Sequence, residues 1–447
     1  MDRAAALTEA FLSDLPDTSR DLPNFLQAVR EIARDVITVE KNDTDWAAAR
    51  VLRRLAEPDR VITFRVTWED DDGQVQVNRG WRVQASNAIG PYKGGLRFHP
   101  GVTVDDLRFL AFEQCFKNAL TGLPLGGAKG GADFNPRGRS QGEVMRFCQA
   151  FMRGLAPFIG PDRDVPAGDI NVGEREIGYL FGMWRNLEGV YQGALTGKGL
   201  SYGGSEIRVE ATGYGLVYFV DEMLARHSQD LAGKRILISG KGNVATHAAL
   251  QATAMGAQVL TLSDTSGTLV AEDGLSAEAI TWVQDQKAKG GDLSDPPGFF
   301  SATFHVGETP WQHEADIALP CATQNEIDED AAKQLVEAGV GLVAEGANMP
   351  LTDAAQRHIR RNRVLYAPGK AANAGGVAIS GLEMSQMSQR RFMSPSAVDE
   401  ELRRLMRDIH DRVASEGQDG GTVDYAKGAN VAGYRRLARA ITAQGIV

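Results

Sequence analysis

Three lysines stand in settings that could serve chemistry: Lys93 in "GPYKGGLRFHP", Lys117 in "FEQCFKNAL" and Lys129 in "LPLGGAKGGADFNP". Gly126 and Gly127 precede Lys129, and Gly130 and Gly131 follow it. Glycine weakens helices and strands, so this density points to a sharp turn or a close backbone approach to a ligand. A small dicarboxylate needs several cationic donors, and lysine serves well as a point charge. Clustered ammonium groups also depress one another's pKa, which brings one of them toward neutral pH as an acid or base. Gln114 lies three residues before Lys117, on the same face of a helix, where the two side chains can address one carboxylate. Asp169, in "DVPAGDINVG", follows Pro166 and Gly168. That dipeptide pattern predicts a turn aiming the carboxylate into a cleft. A carboxylate beside a cationic lysine is a suitable pair for moving protons to and from an amine.

A second constellation lies in the middle of the chain. Gly240, Gly242 and Ala245 give G-x-G-x-x-A, with Asn243 and Val244 inside it. The pattern follows an apolar run at 235–239 and opens a helical stretch. In that context the first glycine makes the turn, the second admits a pyrophosphate, and the helix amino terminus faces the negative charge. Asp264 ends the next strand, where an acid commonly holds the ribose 2′-hydroxyl of NAD. Ser266, Lys241, Lys287 and Lys289 lie nearby in sequence and suit a 2′-phosphate instead. The balance favours NADP, with NAD as the alternative.

These residues need elements to position them. Residues 4 to 56 read as helices, with a stripe at Phe25, Leu26, Val29, Ile32, Ala33 and Val36. In "VITFRVTW" the period changes to two, which predicts a strand, a turn at "DDDG" (70–73) and a returning strand. Helices are expected at "VDDLRFLAFEQCFKNALTG" and over about 140–157. The middle alternates strand and helix, with strand-like runs at "ADIALP", "GVGLVAEG" and "RVLYAP", so a parallel sheet wound with helices is expected. A charged helix is expected over 396–417.

Composition bounds the class. The 447 residues carry 43% hydrophobic and 24% charged side chains, as an ordinary soluble enzyme does. The net charge of −10 argues against nucleic-acid or anionic-membrane partners. Cys115, Cys148 and Cys321 are scattered and odd in number, the histidines form no ligand pair, and no metal is expected. The N-terminus does not read as a signal peptide, no stretch reads as a membrane span, and a cytoplasmic setting fits.

Taken together, "GPYKGGLRFHP", "LPLGGAKGGADFNP", "DVPAGDINVGEREIGY", "LTGKGLSYGGS", "EATGYG", "LPCATQNE", "EGANMP" and "APGKAANAGGVAISGLEMSQ" resemble the glutamate dehydrogenase family, in particular the hexameric bacterial type. The likeness runs from about residue 50 to the end. It implies that Lys129 is the catalytic lysine and that Asp169 moves protons. It implies that Lys93 and Ser380 bind the side-chain carboxylate of glutamate, and that Gln114 and Lys117 bind the α-carboxylate. It implies that Thr212, Asn243, Gln324, Asn348 and Asn373 contact the cofactor.

The expected fold is α/β in two domains, with the active site in the cleft between them. Residues 1–200, rejoined by a C-terminal helix at about 425–447, form the substrate and assembly domain. Residues 201–424 form a Rossmann-like doubly wound domain. The expected partners are glutamate, 2-oxoglutarate, ammonium and NADP, within a homohexamer. The alternatives are a dehydrogenase of another amino acid, an NAD-dependent enzyme, or a catalytically silent regulatory subunit. Lys93 argues against a leucine-type substrate, because a lysine buried beside an apolar side chain costs several kcal/mol. Two features depart from the family pattern: Lys241 in place of a small residue, and "MSQRRFMSPSAVDEEL" after "EMSQ". Lys241 adds charge near the cofactor phosphates, and both departures are expected to alter cleft edges or subunit contacts, not the chemistry.

Overall fold

The change of hydrophobic period near residue 60 marks the start of a sheet. β1 (Arg60–Glu69) and β2 (Val75–Ser86) form an antiparallel hairpin in a computed structural model that describes residues 3–447. Asp70 closes its turn by accepting from the amides of Asp72 and Gln74. Three more strands complete the sheet: β3 (Tyr92–Phe98), β4 (Gly127–Ala132) and β5 (Asp164–Gly168). The order is β1-β2-β4-β3-β5, with β3 parallel to both β4 and β5.

The glycine-rich and proline-containing strings are therefore strands, not the turns their composition suggests. "GAKGGA" is a fully buried central strand. Its glycines answer to protein neighbours. A Cβ at Gly127 would lie 2.3 Å from Cys115 Sγ, and one at Gly131 would lie 2.2 Å from the carbonyl oxygen of Arg97. Pro166 is tolerated because β5 is an edge strand, where a missing N–H breaks no ladder.

Helix Val104–Leu120 packs on β4, with Thr103 and Asp106 forming a reciprocal cap at its start. Helix Gln141–Leu155 opens on the same device, from Ser140 and Glu143, and packs on β1. Phe98, Phe134, Phe147, Phe151 and Trp68 fill that layer, with Phe134 and Phe147 stacked at 3.7 Å.

One buried ion pair spans this sheet. The Arg82 guanidinium on β2 grips Asp164 on β5 through two hydrogen bonds of 2.9 and 2.5 Å, and both side chains are fully buried. Gln84 Nε2 also donates to Asp164, and Arg82 Nη1 donates to the carbonyl of Gly94.

The second unit is built on a parallel sheet of β6 (Arg235–Ile238), β7 (Gln258–Val259), β11 (Ile317–Leu319), β12 (Leu342–Ala344) and β13 (Leu365–Ala367). Between these, β8 (Thr261–Asp264), β9 (Gly267–Val270) and β10 (Thr303–Val306) make a separate antiparallel sheet. The strand expected to end at Asp264 is thus two short strands in two sheets. The parallel order β13-β12-β11-β6-β7 reverses direction between β6 and β11, the switch point at which ligands bind in open α/β sheets.

The first unit comprises residues up to Arg208 together with Val377–Val398 and Asn430–Val447. The second comprises Val209–Gly376 and Asp399–Ala429. The expected extents differ from this division at 201–208, 377–398 and 425–429. Residues 377–398, which carry Ser380 near their start, belong with the first unit, and so the chain rejoins that unit twice. Among the described residues no helix is long and apolar enough to cross a membrane.

Candidate active site and dinucleotide site

In the first unit Lys129 projects from β4, and Asp169 follows directly on β5. Lys129 Nζ lies 3.1 Å from Asp169 Oδ2, and the same oxygen accepts from Arg97 Nε at 3.0 Å. β3 runs between the two strands, and Gly95 leaves the room they need. A Cβ there would lie 2.8 Å from Asp169 Cβ and 3.4 Å from Lys129 Nζ.

Burial pushes the Lys129 ammonium below its usual range, and Asp169 opposes this while Arg97 adds to it. Burial alone would raise the Asp169 carboxyl, but the charges and hydrogen bonds of Lys129 and Arg97 outweigh it and hold the group below its usual value. Asp169 is thus an ionised base beside a lysine with a weakened hold on its proton.

Of the other two lysines, Lys93 is equally enclosed and Lys117 is half-buried. Lys93 is 1% exposed and donates to Thr196 Oγ1 at 2.7 Å. Burial drives its pKa well below the ordinary lysine value, and Arg208 adds to that effect while Glu383 opposes it. Lys117 is pushed down to about 8, first by burial and then by the charge of Lys129. Gln114, on the same helix, donates to Asn118 at 2.7 Å, and Asn118 in turn donates to the carbonyls of Lys93 and Gly126. Ser380 is buried one turn before Glu383 on helix Gly375–Gln389. Glu383 accepts from Gly197 N and from Lys198 Nζ at 2.6 Å.

Arg97, Thr196 and Arg208, like Asn118, Lys198 and Glu383, were not singled out from the sequence. Arg208 Nε is buried and has no hydrogen-bond partner among the described residues. The first unit therefore gathers five basic side chains, Lys93, Arg97, Lys117, Lys129 and Arg208. A dianion would restore or match the charge of several of these groups at once.

In the second unit, Gly240 takes φ +87°, a conformation that favours glycine, and turns the chain out of β6. Helix Asn243–Ala254 follows, with Gly242 as its N-cap and Val244 in its first turn. The loop after β11 lies against this turn, since a Cβ at Gly240 would sit 3.1 Å from Ala322 Cα. Cys321 N donates to Ser239 Oγ, which ties the two loops together, and Gln324 is exposed in the second of them. Thr212 is half-buried in the first turn of helix Ala211–Arg226, which meets helix Asn243–Ala254 at Gly213.

Asn373 donates through Nδ2 to the carbonyls of Gly346 and Ala347 and to Asn348 Oδ1. Its own Oδ1 is buried with no hydrogen-bond partner among the described residues. An orphaned acceptor of this kind is expensive unless a ligand donor reaches it. Together with the glycine turn and the helix amino terminus, it fits a dinucleotide with an amide head group.

Asp264 is placed differently from the expectation of a carboxylate open to a ribose. Its Oδ2 accepts from Lys241 Nζ at 2.8 Å and from Leu293 N, while Oδ1 accepts from both the amide and the hydroxyl of Ser266. Lys287 Nζ donates to Asn243 Oδ1 at 3.1 Å, and partial desolvation and the charge of Lys241 lower its pKa. Lys289 is exposed. Among the described residues no three His, Cys, Asp or Glu side chains converge in a way that could hold a metal ion.

Known proteins share this organisation. Residues 203–445 match the family described as Glutamate/Leucine/Phenylalanine/Valine dehydrogenase, and residues 58–186 match its partner, Glu/Leu/Phe/Val dehydrogenase, dimerisation domain. The NADP-specific glutamate dehydrogenase of Psychrobacter sp. (strain TAD1) is 53% identical over 430 residues, which cover 95% of this chain and 96% of that one. The NAD-specific glutamate dehydrogenase of Bacteroides fragilis (strain YCH46) is 49% identical, with coverage of 98% and 99%. The crystal structure of Plasmodium falciparum glutamate dehydrogenase superposes with a TM-score of 0.95 at 42% identity, covering 100% of this chain and 97% of that one. With both of its units matched and close relatives along nearly its whole length, the chain belongs to the Glu/Leu/Phe/Val dehydrogenase family.

Proposed function

We infer that the chain is a glutamate dehydrogenase. It interconverts L-glutamate, water and NADP⁺ with 2-oxoglutarate, ammonium, NADPH and a proton. The observation that carries this reading is the pair of buried Lys129 and half-buried Asp169, 3.1 Å apart, in a unit that also buries Lys93 and half-buries Lys117.

Lys93 distinguishes glutamate from the other amino acids of the family. It is buried beside Thr196, with Ser380 buried on the helix that carries Glu383. A γ-carboxylate would restore its charge, whereas an apolar side chain would leave a desolvated amine. Lys117 and Gln114 are placed to take the α-carboxylate. When bound, NADP supplies the hydride acceptor for the α-carbon. The resulting imine is attacked by water. Lys129 activates that water and then stabilises the carbinolamine by hydrogen bonding as charge develops. Asp169 carries the proton to the departing nitrogen, and in the reverse direction removes it from the incoming ammonium. Gly240, Gly242, Asn243, Val244, Thr212, Gln324, Asn348 and Asn373 would hold the dinucleotide.

NADP is preferred over NAD because Lys241 already occupies the acid that would otherwise receive a ribose hydroxyl. The matched dimerisation description and the family likeness support a homohexamer, and three free buried thiols support a reducing cytoplasm.

The test mixes the protein with ammonium, NADPH and either 2-oxoglutarate or a branched-chain 2-oxo acid, and follows the reduced-nicotinamide absorbance. Consumption with 2-oxoglutarate alone is expected. A kcat/KM equal or higher for the branched-chain acid would overturn the glutamate assignment.

A further inference from the structure

We propose that the arginine-rich end of helix Asp353–Arg361 is a binding site for a small polyphosphate, with the phosphate chain as the part recognised. The site is separate from the dinucleotide turn and independent of the substrate assigned above.

Residues 357–363 read "RHIRRNR", with arginine at 357, 360, 361 and 363, in a chain whose net charge is −10. In the second unit all four arginines line one cavity of about 740 Å³, the size of a small-molecule site. The stretch Thr422–Tyr425, which includes the short strand Thr422–Val423, forms another part of the wall. Among the described residues Asp424 is the one acid lining the cavity, and Arg360 engages it. Arg357, Arg361 and Arg363 are exposed, with no ion pair or side-chain hydrogen bond among the described residues. The guanidinium groups thus outnumber the carboxylate that faces them. Guanidinium meets phosphate oxygens through paired N–H donors, and several together suit adjoining phosphates.

A helix end attracts cations through its dipole, which accounts for arginine in the last turn. It does not account for Arg363, which lies beyond that turn. Val364 N donates to the carbonyl of Ile359, and the chain leaves the helix through a left-handed residue. Arg363 is that residue, at φ +60°, where glycine or asparagine is usual. The fourth cation is therefore kept at a conformational cost.

The dinucleotide turn lies elsewhere on the same sheet. It leaves the carboxyl end of β6, whereas Arg363 precedes the amino end of β13, and the strands from β6 through β11 and β12 to β13 run parallel. The two sites thus stand at opposite ends of the sheet.

The test titrates tripolyphosphate calorimetrically into the full-length protein, with and without saturating NADPH. ATP and adenosine are titrated with NADPH present. Tripolyphosphate is expected to bind and to stay bound when NADPH is added, with ATP comparable and adenosine inert. Arg361→Gln combined with Arg363→Asn is expected to weaken tripolyphosphate by about 10- to 100-fold and to keep NADPH affinity. Both arginines are exposed, and asparagine suits the left-handed position, so the fold is kept. Asp424→Asn frees Arg360 and still offers an acceptor to Lys427 N, so it is expected to tighten tripolyphosphate. No binding to the wild-type protein, displacement by NADPH, or unchanged affinity in the double arginine variant would overturn the proposal. So would weaker binding in Asp424→Asn, or adenosine binding as tightly as ATP.

Discussion

Lys129 and Asp169 meet across an intervening strand, 3.1 Å apart, because Gly95 in that strand carries no side chain. Arg97, two residues on, completes the charge arrangement by donating to the same carboxylate oxygen. Sheet packing, proton chemistry and glycine content are therefore one requirement at this point of the chain.

Gly95→Ala tests that geometry. Its methyl would lie 2.8 Å from Asp169 Cβ and 2.9 Å from the carbonyl oxygen of Gly168, so the base must move. Turnover is expected to fall by about 100-fold or more, as a displacement of about 1 Å commonly causes. Steady-state kinetics on the folded variant check it. An unchanged kcat would show that Asp169 tolerates the shift.

Substrate binding should depend on pH through Lys117. Its pKa is about 8 in the free protein, and only the protonated form attracts a carboxylate. The protonated fraction falls as pH rises through that value, so the affinity for glutarate should weaken on the alkaline side of pH 8. Lys129 is one of the groups that lower Lys117, so in Lys129→Gln the same loss should move to higher pH. Calorimetric titration between neutral and alkaline pH measures both midpoints.

The Arg82–Asp164 pair should be costly to break. Arg82→Met leaves a buried carboxylate with Gln84 as its remaining side-chain partner, and a destabilisation of about 3–5 kcal/mol is expected. Replacing both partners with apolar residues of similar volume should recover part of the loss. Denaturant midpoints of the single and double variants decide between these.

Two glycines should respond with opposite signs. Gly127→Ala drives a methyl to 2.3 Å from Cys115 Sγ and 2.7 Å from its backbone nitrogen, and should destabilise by at least about 1–3 kcal/mol. Gly182→Ala, inside helix Glu174–Glu188 with nothing within 4 Å of the new methyl, should stabilise by about 0.5–1 kcal/mol. Thermal midpoints provide the comparison.

The helices and the β1–β2 hairpin were legible because their signals are local: a stripe at helical spacing, strict alternation and a turn of acids and glycine. The strands that carry the chemistry were not. β3, β4 and β5 are strings of Gly, Lys and Pro, which read as turns, and only packing against Cys115, Arg97 and neighbouring backbone makes them strands. Lys93, Lys117, Lys129 and Asp169 were legible by type and setting. Thr196 was not, since it lies 103 positions from the Lys93 it serves. Asp264 was placed correctly at a strand end, but its partner Lys241 is 23 residues away, and nothing local shows that the carboxylate is engaged.

The most direct test is single-turnover reduction of 2-oxoglutarate with ammonium and NADPH by the wild-type protein and by Lys129→Ala, with glutarate affinity measured alongside. A drop in rate of about 10²–10⁴-fold, with glutarate binding largely kept, is the predicted result. A near-normal rate in Lys129→Ala would contradict the role given to the buried lysine and its carboxylate partner.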